Sequence, residues 1–391
     1  MFEPPRGPPA GAAPAGGRMC VLALTGLNPW VPSGPGLVLA GLLTHLAAQG
    51  FGGTVFLGPR PGATGKLAGS YRLRIWITSP SRGRRALAYA RFWIAAVQAA
   101  VQSDLVLFNS PPVGLALVPL LASKLARRPS VWIVHGGAFI EPANTGRLAQ
   151  GAVRWASRQV TALIAVSQGM ADIVHEATGR APVVILNAFA APQLRDTPAA
   201  RPDPVFVYVG RLEPIKRVDL LIQAFRTLLA ERPGCRLRLM GSGSLEPALR
   251  TLVQKEGLAP QIEFCGFQTG AAKAAILDAA DVLVLPSDFE PFGMVILEAW
   301  AHGLAVVGSR GGGISEIVRA GETGLLFAPG DGAQLSACLQ QICDPPLRTT
   351  LARAGQRELM SRFTWERAGG EYAQLFAALT GRRYRKERVH A

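Results

Sequence analysis

Along nearly the whole chain, short apolar runs rich in β-branched residues alternate with longer amphipathic stretches of helical period. That alternation is the mark of parallel strands joined by crossover helices, because a parallel strand buried on both faces reads as a continuous apolar run. In the first half the expected strands are residues 19–25, 54–57, 73–77, 104–108, 131–134, 162–166 and 183–186. In the second half they are 205–209, 236–240, 262–265, 282–286, 305–308 and 324–327. The Pro- and Ala-rich segment 188–204 between the two sets lacks any period and reads as a linker. A chain of 391 residues also exceeds the size at which one core stops growing. The pattern therefore predicts an α/β chain of two doubly wound domains, one over 19–190 and one over 203–362.

The flanks read differently. Residues 1–18 are Pro/Gly/Ala-rich with no continuous apolar stretch, which fits a disordered leader better than a signal peptide. Residues 381–391 form a basic tail. No window reaches eighteen uncharged apolar residues, so no membrane span is expected. The five cysteines, at 20, 235, 265, 338 and 343, include no CxxC pair and no neighbouring His cluster, which argues against zinc and against a disulfide framework. Together these features suit a cytoplasmic protein.

Charge divides unevenly. Residues 1–200 hold 18 Lys+Arg against 6 Asp+Glu, whereas residues 201–391 hold 23 against 20. The basic surface thus belongs to the first half. There Arg82, Arg84, Arg85 and Arg91 lead into the aromatic pair Phe92–Trp93 and Ile94, a mixture suited to a helix lying on an anionic bilayer. Solvated arginines on an ordinary packed helix are the plain alternative. Nucleic acid would attract the same charge, but no recognised nucleic-acid motif is present. Peripheral attachment at the inner face of the cell membrane is the expectation.

Chemistry concentrates at strand ends, where open α/β sheets bind ligands. After the first strand comes "GLNPWVPSGPG" (26–36) and then a helix starting near Leu37. Gly34 and Gly36 there would let the backbone approach an anion. In the second half, Gly210 and Arg211 follow a strand and Lys216 precedes a helix, so the two cations could bracket a diphosphate. Further on, "SDFEPFGMVILEAWAHG" (287–303) carries Glu290 and Glu298 in an otherwise almost entirely apolar run. A carboxylate desolvated in such a run needs a donor or a cation. A ligand is the expected partner of both.

In order and spacing, "VGRLEPIKRVDLLIQAF", "LMGSGSLEPALRTL", "CGF", "ILDAADVLVLPSDFEPFGMVILEAWAHGLAVVGSRGGGISEIV" and "GETGLLFAPGD" resemble the family-4 retaining glycosyltransferases, whose mark is two glutamates separated by seven residues. The likeness runs from about residue 19 to 379 and is strongest after 205. It implies a GT-B fold, two Rossmann-like domains facing across a cleft, with a last helix over 363–380 crossing back to the first domain. It further implies that Glu290 receives hydroxyls of the transferred sugar and that Glu298, two helical turns on, holds the ribose of the nucleotide. Phe292, Gly293 and Met294 would offer backbone N–H groups, and Gly210, Gly241 and Phe267 would join the nucleotide-sugar site. Arg211 and Lys216 match the family's pair on the leaving diphosphate, so neither metal nor cofactor is implied. His135 matches a histidine near the reacting centre, and Ser167 would touch the acceptor side. Ser242 and "NAFA" (187–190) depart from the family's usual acidic residue and "NGVD".

The expected activity is a hexosyl transfer from a nucleotide sugar, GDP-mannose first, to a lipid-linked or polysaccharide acceptor. UDP-glucose or UDP-N-acetylglucosamine are the alternative donors. An epimerase of the same fold and a non-enzymatic membrane scaffold are the alternative functions. Nothing in the sequence fixes the oligomeric state.

Overall fold

The computed structural model describes residues 19–25, 34–57, 71–75, 82–109, 113–136, 139, 147–190, 194–197 and 201–381. The leader 1–18, the loop 26–33 and the tail 382–391 lie outside these residues, as do the side chains of Arg82, Arg84 and Arg85. The chain divides into two compact units. One runs to Ala190 and takes in the chain again from Trp365, and the other is Ala191–Thr364.

The first unit is a parallel sheet of β1 (Met19–Thr25), β2 (Phe51–Leu57), β3 (Tyr71–Ile75), β4 (Leu105–Asn109), β5 (Ser130–Val134), β6 (Ala162–Ala165) and β7 (Val183–Val184). Their order is β3-β2-β1-β4-β5-β6-β7. Between strands lie α1 (Gly34–Ala48), α2 (Arg82–Gln102), α3 (Val113–Leu125), α4 (Arg147–Gln159) and α5 (Gln168–Thr178). Every residue of β4 and of β5 is buried, as a central parallel strand requires.

In the second unit the parallel sheet comprises β8 (Val205–Val209), β9 (Arg236–Met240), β10 (Ile262–Gly266), β11 (Val282–Leu285), β12 (Ala305–Ser309) and β13 (Leu325–Phe327), ordered β10-β9-β8-β11-β12-β13. Its helices are α6 (Val218–Glu231), α7 (Glu246–Lys255), α8 (Gly270–Asp278), α9 (Met294–Ala301), α10 (Ile314–Ile317), α11 (Gly332–Gln341) and α12 (Pro345–Arg362). All the strands expected from the sequence are present, with ends shifted by at most three residues.

The last helix, α13 (Trp365–Thr380), belongs to the first unit and packs on α1. Glycines permit the approach: a side chain at Gly41 would strike the Trp365 indole, and one at Gly369 would strike the His45 ring. Similar close packing fixes α9 in the second unit, where Gly355 of α12 faces the fully buried Trp300. Gly355→Ala gains about 1 kcal/mol of helix propensity but overpacks the indole, at about 1–3 kcal/mol. A net loss of stability, read as a lower thermal midpoint, is the expected result. An unchanged midpoint would mean that α12 and α9 slide apart freely.

Candidate active site

Each sheet reverses its winding once, between β1 and β4 in the first unit and between β8 and β11 in the second. At such a switch point the loops leaving the two central strands diverge and open a crevice at their carboxyl ends. In the second unit those loops are Gly210–Arg217 and Pro286–Gly293, so residues 74 apart in sequence meet there. Lys216, at the end of the short 3-10 turn Pro214–Lys216, places Nζ 2.5 Å from Glu290 Oε2. Only 11% of the Lys216 side chain and 19% of Glu290 is exposed, so the pair is largely shielded from water.

Close backbone packing sets this corner. Gly210 N–H donates to Met240 O and Leu212 N–H to Ser242 O, at 3.0 and 2.9 Å. Gly241 has φ +146°, and any side chain there would run into the Gly210 carbonyl. A side chain at Gly210 would strike the Tyr208 hydroxyl, so packing alone accounts for glycine at both positions. Beneath them the fully buried Tyr208 donates its hydroxyl to Arg211 O at 2.6 Å. Burial, then the nearby Glu290 charge, raises the Tyr208 phenol above its usual range, so it stays a donor. Arg211 is exposed, and its charge acts on the Tyr208 phenol beneath it. Arg217 adopts φ +49°, a left-handed conformation uncommon outside glycine, and reaches Asp219 and Asp288 at 3.5 and 3.3 Å. It thereby ties the Lys216 turn to the Glu290 loop.

A second loop supports Glu290. Gly313 N–H donates to Glu290 O at 2.8 Å, and side chains at Gly311, Gly312 or Gly313 would collide with the backbone of residues 288, 290 and 292. This triple-glycine segment after β12 was not assigned a role from the sequence; the run of three glycines after a strand was its signal. Gly293, at φ +103°, then precedes α9; Ile296 N–H turns back to Gly293 O at 2.9 Å, and the N–H groups before it in the helix lack an intrahelical acceptor. Phe292 offers only backbone to that corner, because its ring is buried edge-on against Phe363 with centroids 6.1 Å apart.

Glu298 lies one helical turn beyond Met294 rather than two turns beyond Glu290, since residues 291–293 are not helical. Its Oε2 is 2.5 Å from Lys273 Nζ on α8. Both glutamates are thus paired with lysines, which corrects the expectation that a ligand alone supplies their partner. Lys273 escaped the sequence reading. Its signal was a lone cation among the small and apolar residues of "GAAKAAIL". Phe267, just after β10, is 64% exposed and free to take a flat ring against its face.

The remaining expected residues belong to the first unit. His135 follows β5 and is half-buried, and its Nε2 is 2.7 Å from Asn109 Oδ1. Desolvation pushes the imidazole down to about 3, so it is neutral at physiological pH. α1 begins at Gly34, so Gly34 and Gly36 form its first turn and do not precede it; Gly36 is buried. Ser167 is fully buried and caps α5, accepting from Met170 N–H at 3.1 Å, which is a structural task in place of the expected contact with an acceptor. Phe92 is buried against Phe56, with ring centroids 5.3 Å apart, and Trp93 is half-buried. Of the group expected to anchor the chain in a bilayer, Phe92 is therefore turned toward the protein, whereas Ile94 is 60% exposed.

The switch-point corner can hold an anion between Arg211, Lys216 and the start of α9, and hydroxyls at Glu290 and Glu298. Comparison with known proteins bears on that chemistry. The model of the Glycosyltransferase Family 4 matches residues 32–189, and that of Glycosyl transferases group 1 matches residues 192–358. Glycogen synthase from Mycobacterium tuberculosis is 34% identical over 247 residues, 60% of this chain and 58% of that protein. The lipopolysaccharide core biosynthesis glycosyltransferase LpsE of Rhizobium meliloti is 37% identical over 184 residues, 47% of this chain and 52% of LpsE. The chain thus spans less than two thirds of these relatives. Anabaena HepE, solved with UDP and glucose, is 24% identical and superimposes with a TM-score of 0.74 over 92% of this chain and all of HepE, which shows a common fold. With two family models matching its two halves, the chain belongs to the family-4 glycosyltransferases of the GT-B fold.

Proposed function

We propose that the chain transfers a hexose from a nucleotide sugar to an acceptor hydroxyl, with retention at the anomeric carbon. The observation that carries this reading is the convergence, at the switch point of the second sheet, of the Lys216–Glu290 pair with Arg211 and the start of α9. Lys216 and Arg211 hold the diphosphate as negative charge builds on it, Glu290 receives hydroxyls of the sugar, and Glu298 receives those of the ribose. The acceptor oxygen bonds to the anomeric carbon while the bond from that carbon to the diphosphate oxygen breaks, on the same face. The acceptor's proton passes to the leaving phosphate oxygen. Positioning and charge stabilisation supply the catalysis, and no divalent metal takes part. NMR of the product made from an α-linked donor tests the stereochemistry: an α-glycoside is expected, and a β-glycoside would overturn retention.

For the donor, UDP in the HepE crystals supports a uridine nucleotide over the GDP-mannose expected first from the sequence. An acceptor in cell-surface polysaccharide or lipid-linked glycan assembly is supported by the likeness to LpsE. An epimerase is disfavoured because the relatives named above carry synthase or glycosyltransferase names, and a scaffold has no use for two shielded lysine–glutamate pairs.

A lipid-linked acceptor requires work at a bilayer surface. No described helix is long and apolar enough to cross one. We place the peripheral contact on α3 and α4, where Leu125, Leu148 and Trp155 are exposed (87%, 93% and 42%) beside the exposed Lys124, Arg127, Arg128, Arg147, Arg154 and Arg158. Apolar groups and cations together are what anionic lipid attracts, at about 1 kcal/mol per cation near the surface. Replacing Leu125, Leu148 and Trp155 by Ser should abolish co-sedimentation with phosphatidylglycerol vesicles. Arg82, Arg84 and Arg85 replaced by Ser should weaken it only in low salt. Binding by the first variant equal to that of the parent would sink the membrane reading.

A further inference from the structure

We propose that Asn109 is a positioning residue that holds His135 as its Nε2–H tautomer and so leaves Nδ1 as a hydrogen-bond acceptor at the carboxyl end of the first sheet. The inference rests on the glycosyl-transfer reading only for what His135 then does. Asn109 is the last residue of β4, fully buried, and in register with Thr25 of β1 and Ile133 of β5. It therefore stands at the switch point of this sheet, two residues across from His135.

The tautomer follows from hydrogen-bond accounting. Asn109 Nδ2 donates to Pro35 O, in the first turn of α1, at 3.5 Å. Turning the amide over would set two oxygens against each other at that carbonyl. With the amide so oriented, Oδ1 is the atom 2.7 Å from His135 Nε2, and an amide oxygen only accepts. The imidazole must be the donor there. A neutral ring carries one proton, so its Nδ1 keeps a lone pair. Neutrality itself comes from burial, and among the described residues no charged side chain contributes to it. One buried amide thus ties the start of α1, the end of β4 and the residue after β5 into a fixed arrangement.

For the transfer reaction, His135 is then an acceptor for a substrate hydroxyl and cannot protonate the leaving phosphate. The sequence held a signal for this, an asparagine ending the otherwise apolar strand "LVLFN". An amide at the end of a buried strand needs a partner for each of its polar atoms.

The chain has five histidines, so long-range ¹⁵N–¹H correlation spectra of the ¹⁵N-histidine-labelled full chain can resolve each ring. The signal lost in His135→Gln identifies residue 135. We expect a protonated Nε2, a bare Nδ1 and no titration between pH 8 and 5. An Nδ1–H tautomer, or an imidazolium in that range, would overturn the proposal, and this arm needs no substrate. Asn109→Ala should release the tautomer and lower kcat about 10- to 100-fold, the scale of a misplaced group, with the donor KM within about threefold. Asn109→Asp forfeits the donation to Pro35 O but still accepts from Nε2–H, so, in a variant that keeps its native circular dichroism, it should keep the tautomer, raise the imidazole pKa into the range of pH 5–8 and restore activity on the alkaline side only. If Asn109→Ala keeps its native circular dichroism and the Nε2–H tautomer, Asn109 does not position His135. If the wild type transfers no sugar while the tautomer stands, the functional reading fails and the tautomer assignment survives.

Discussion

Lys216→Ala should lower kcat by about 10²-fold or more, the scale of losing one preorganised charge on a developing anion. The geometry sharpens this expectation. Lys216 Nζ sits 2.5 Å from Glu290 Oε2 in a largely shielded corner, so removing it also strips Glu290 of its cation. A shielded carboxylate left unpaired is strongly unfavourable. Lys216→Ala should therefore cost stability as well as turnover, and the Lys216→Ala/Glu290→Gln double variant should be more stable than the sum of the single effects implies. Steady-state kinetics in EDTA complete the experiment. Wild-type turnover should persist without divalent metal, and a strict metal requirement would contradict the assignment of Arg211 and Lys216 to the leaving diphosphate.

The two glutamates should separate when each is changed to Gln. Glu298→Gln replaces what we propose is a charged acceptor of ribose hydroxyls, and hydrogen bonds to charged groups contribute about 1.5–3 kcal/mol. Calorimetry should then show a nucleoside diphosphate bound roughly 10- to 100-fold more weakly. The substitution also leaves Lys273 without its carboxylate, and Lys273→Met should weaken nucleotide binding in the same direction. Glu290→Gln should leave nucleoside diphosphate affinity within about threefold and lower kcat by about 10²-fold, because the proposed reaction gives it the hydroxyls of the sugar in flight. Equal losses of nucleotide affinity in both variants would refute this division of labour.

The strands were legible because a parallel strand covered on both faces has to be apolar throughout, and "VLVL" at β11 or "VWIV" within β5 admits little else. Facing was harder to read. On α2 the buried residues are Phe92, Ala96 and Ala100, four apart, while Ile94 and Val101 are exposed. Arginines interleaved with aromatics do not say which side of that helix meets the sheet, and the bilayer expectation missed that Phe92 faces inward. At the site, Arg211 and Lys216 stood out as cations after a strand, and Glu290 and Glu298 as carboxylates in an apolar run. The pairings Lys216–Glu290 and Lys273–Glu298 did not, and Lys273 itself was missed, because contacts across 74 and 25 residues depend on strand order, which local patterning does not encode. Ser167 illustrates the opposite error: a serine after a strand suits a ligand and an N-cap equally well, and its buried bond to Met170 N–H decides for the cap.

The central claim is that Lys216, Arg211, Glu290 and Glu298 form a nucleotide-sugar site that releases a nucleoside diphosphate. Incubating the purified chain with UDP-glucose, UDP-N-acetylglucosamine, UDP-galactose and GDP-mannose, with a polyprenyl-diphosphate-linked glycan as acceptor, and assaying the freed nucleotide tests it most directly. Release of UDP from one of the uridine donors, dependent on acceptor and lost in Lys216→Ala, is the predicted result. Absence of release from every donor, or release that Lys216→Ala leaves unchanged, would contradict it.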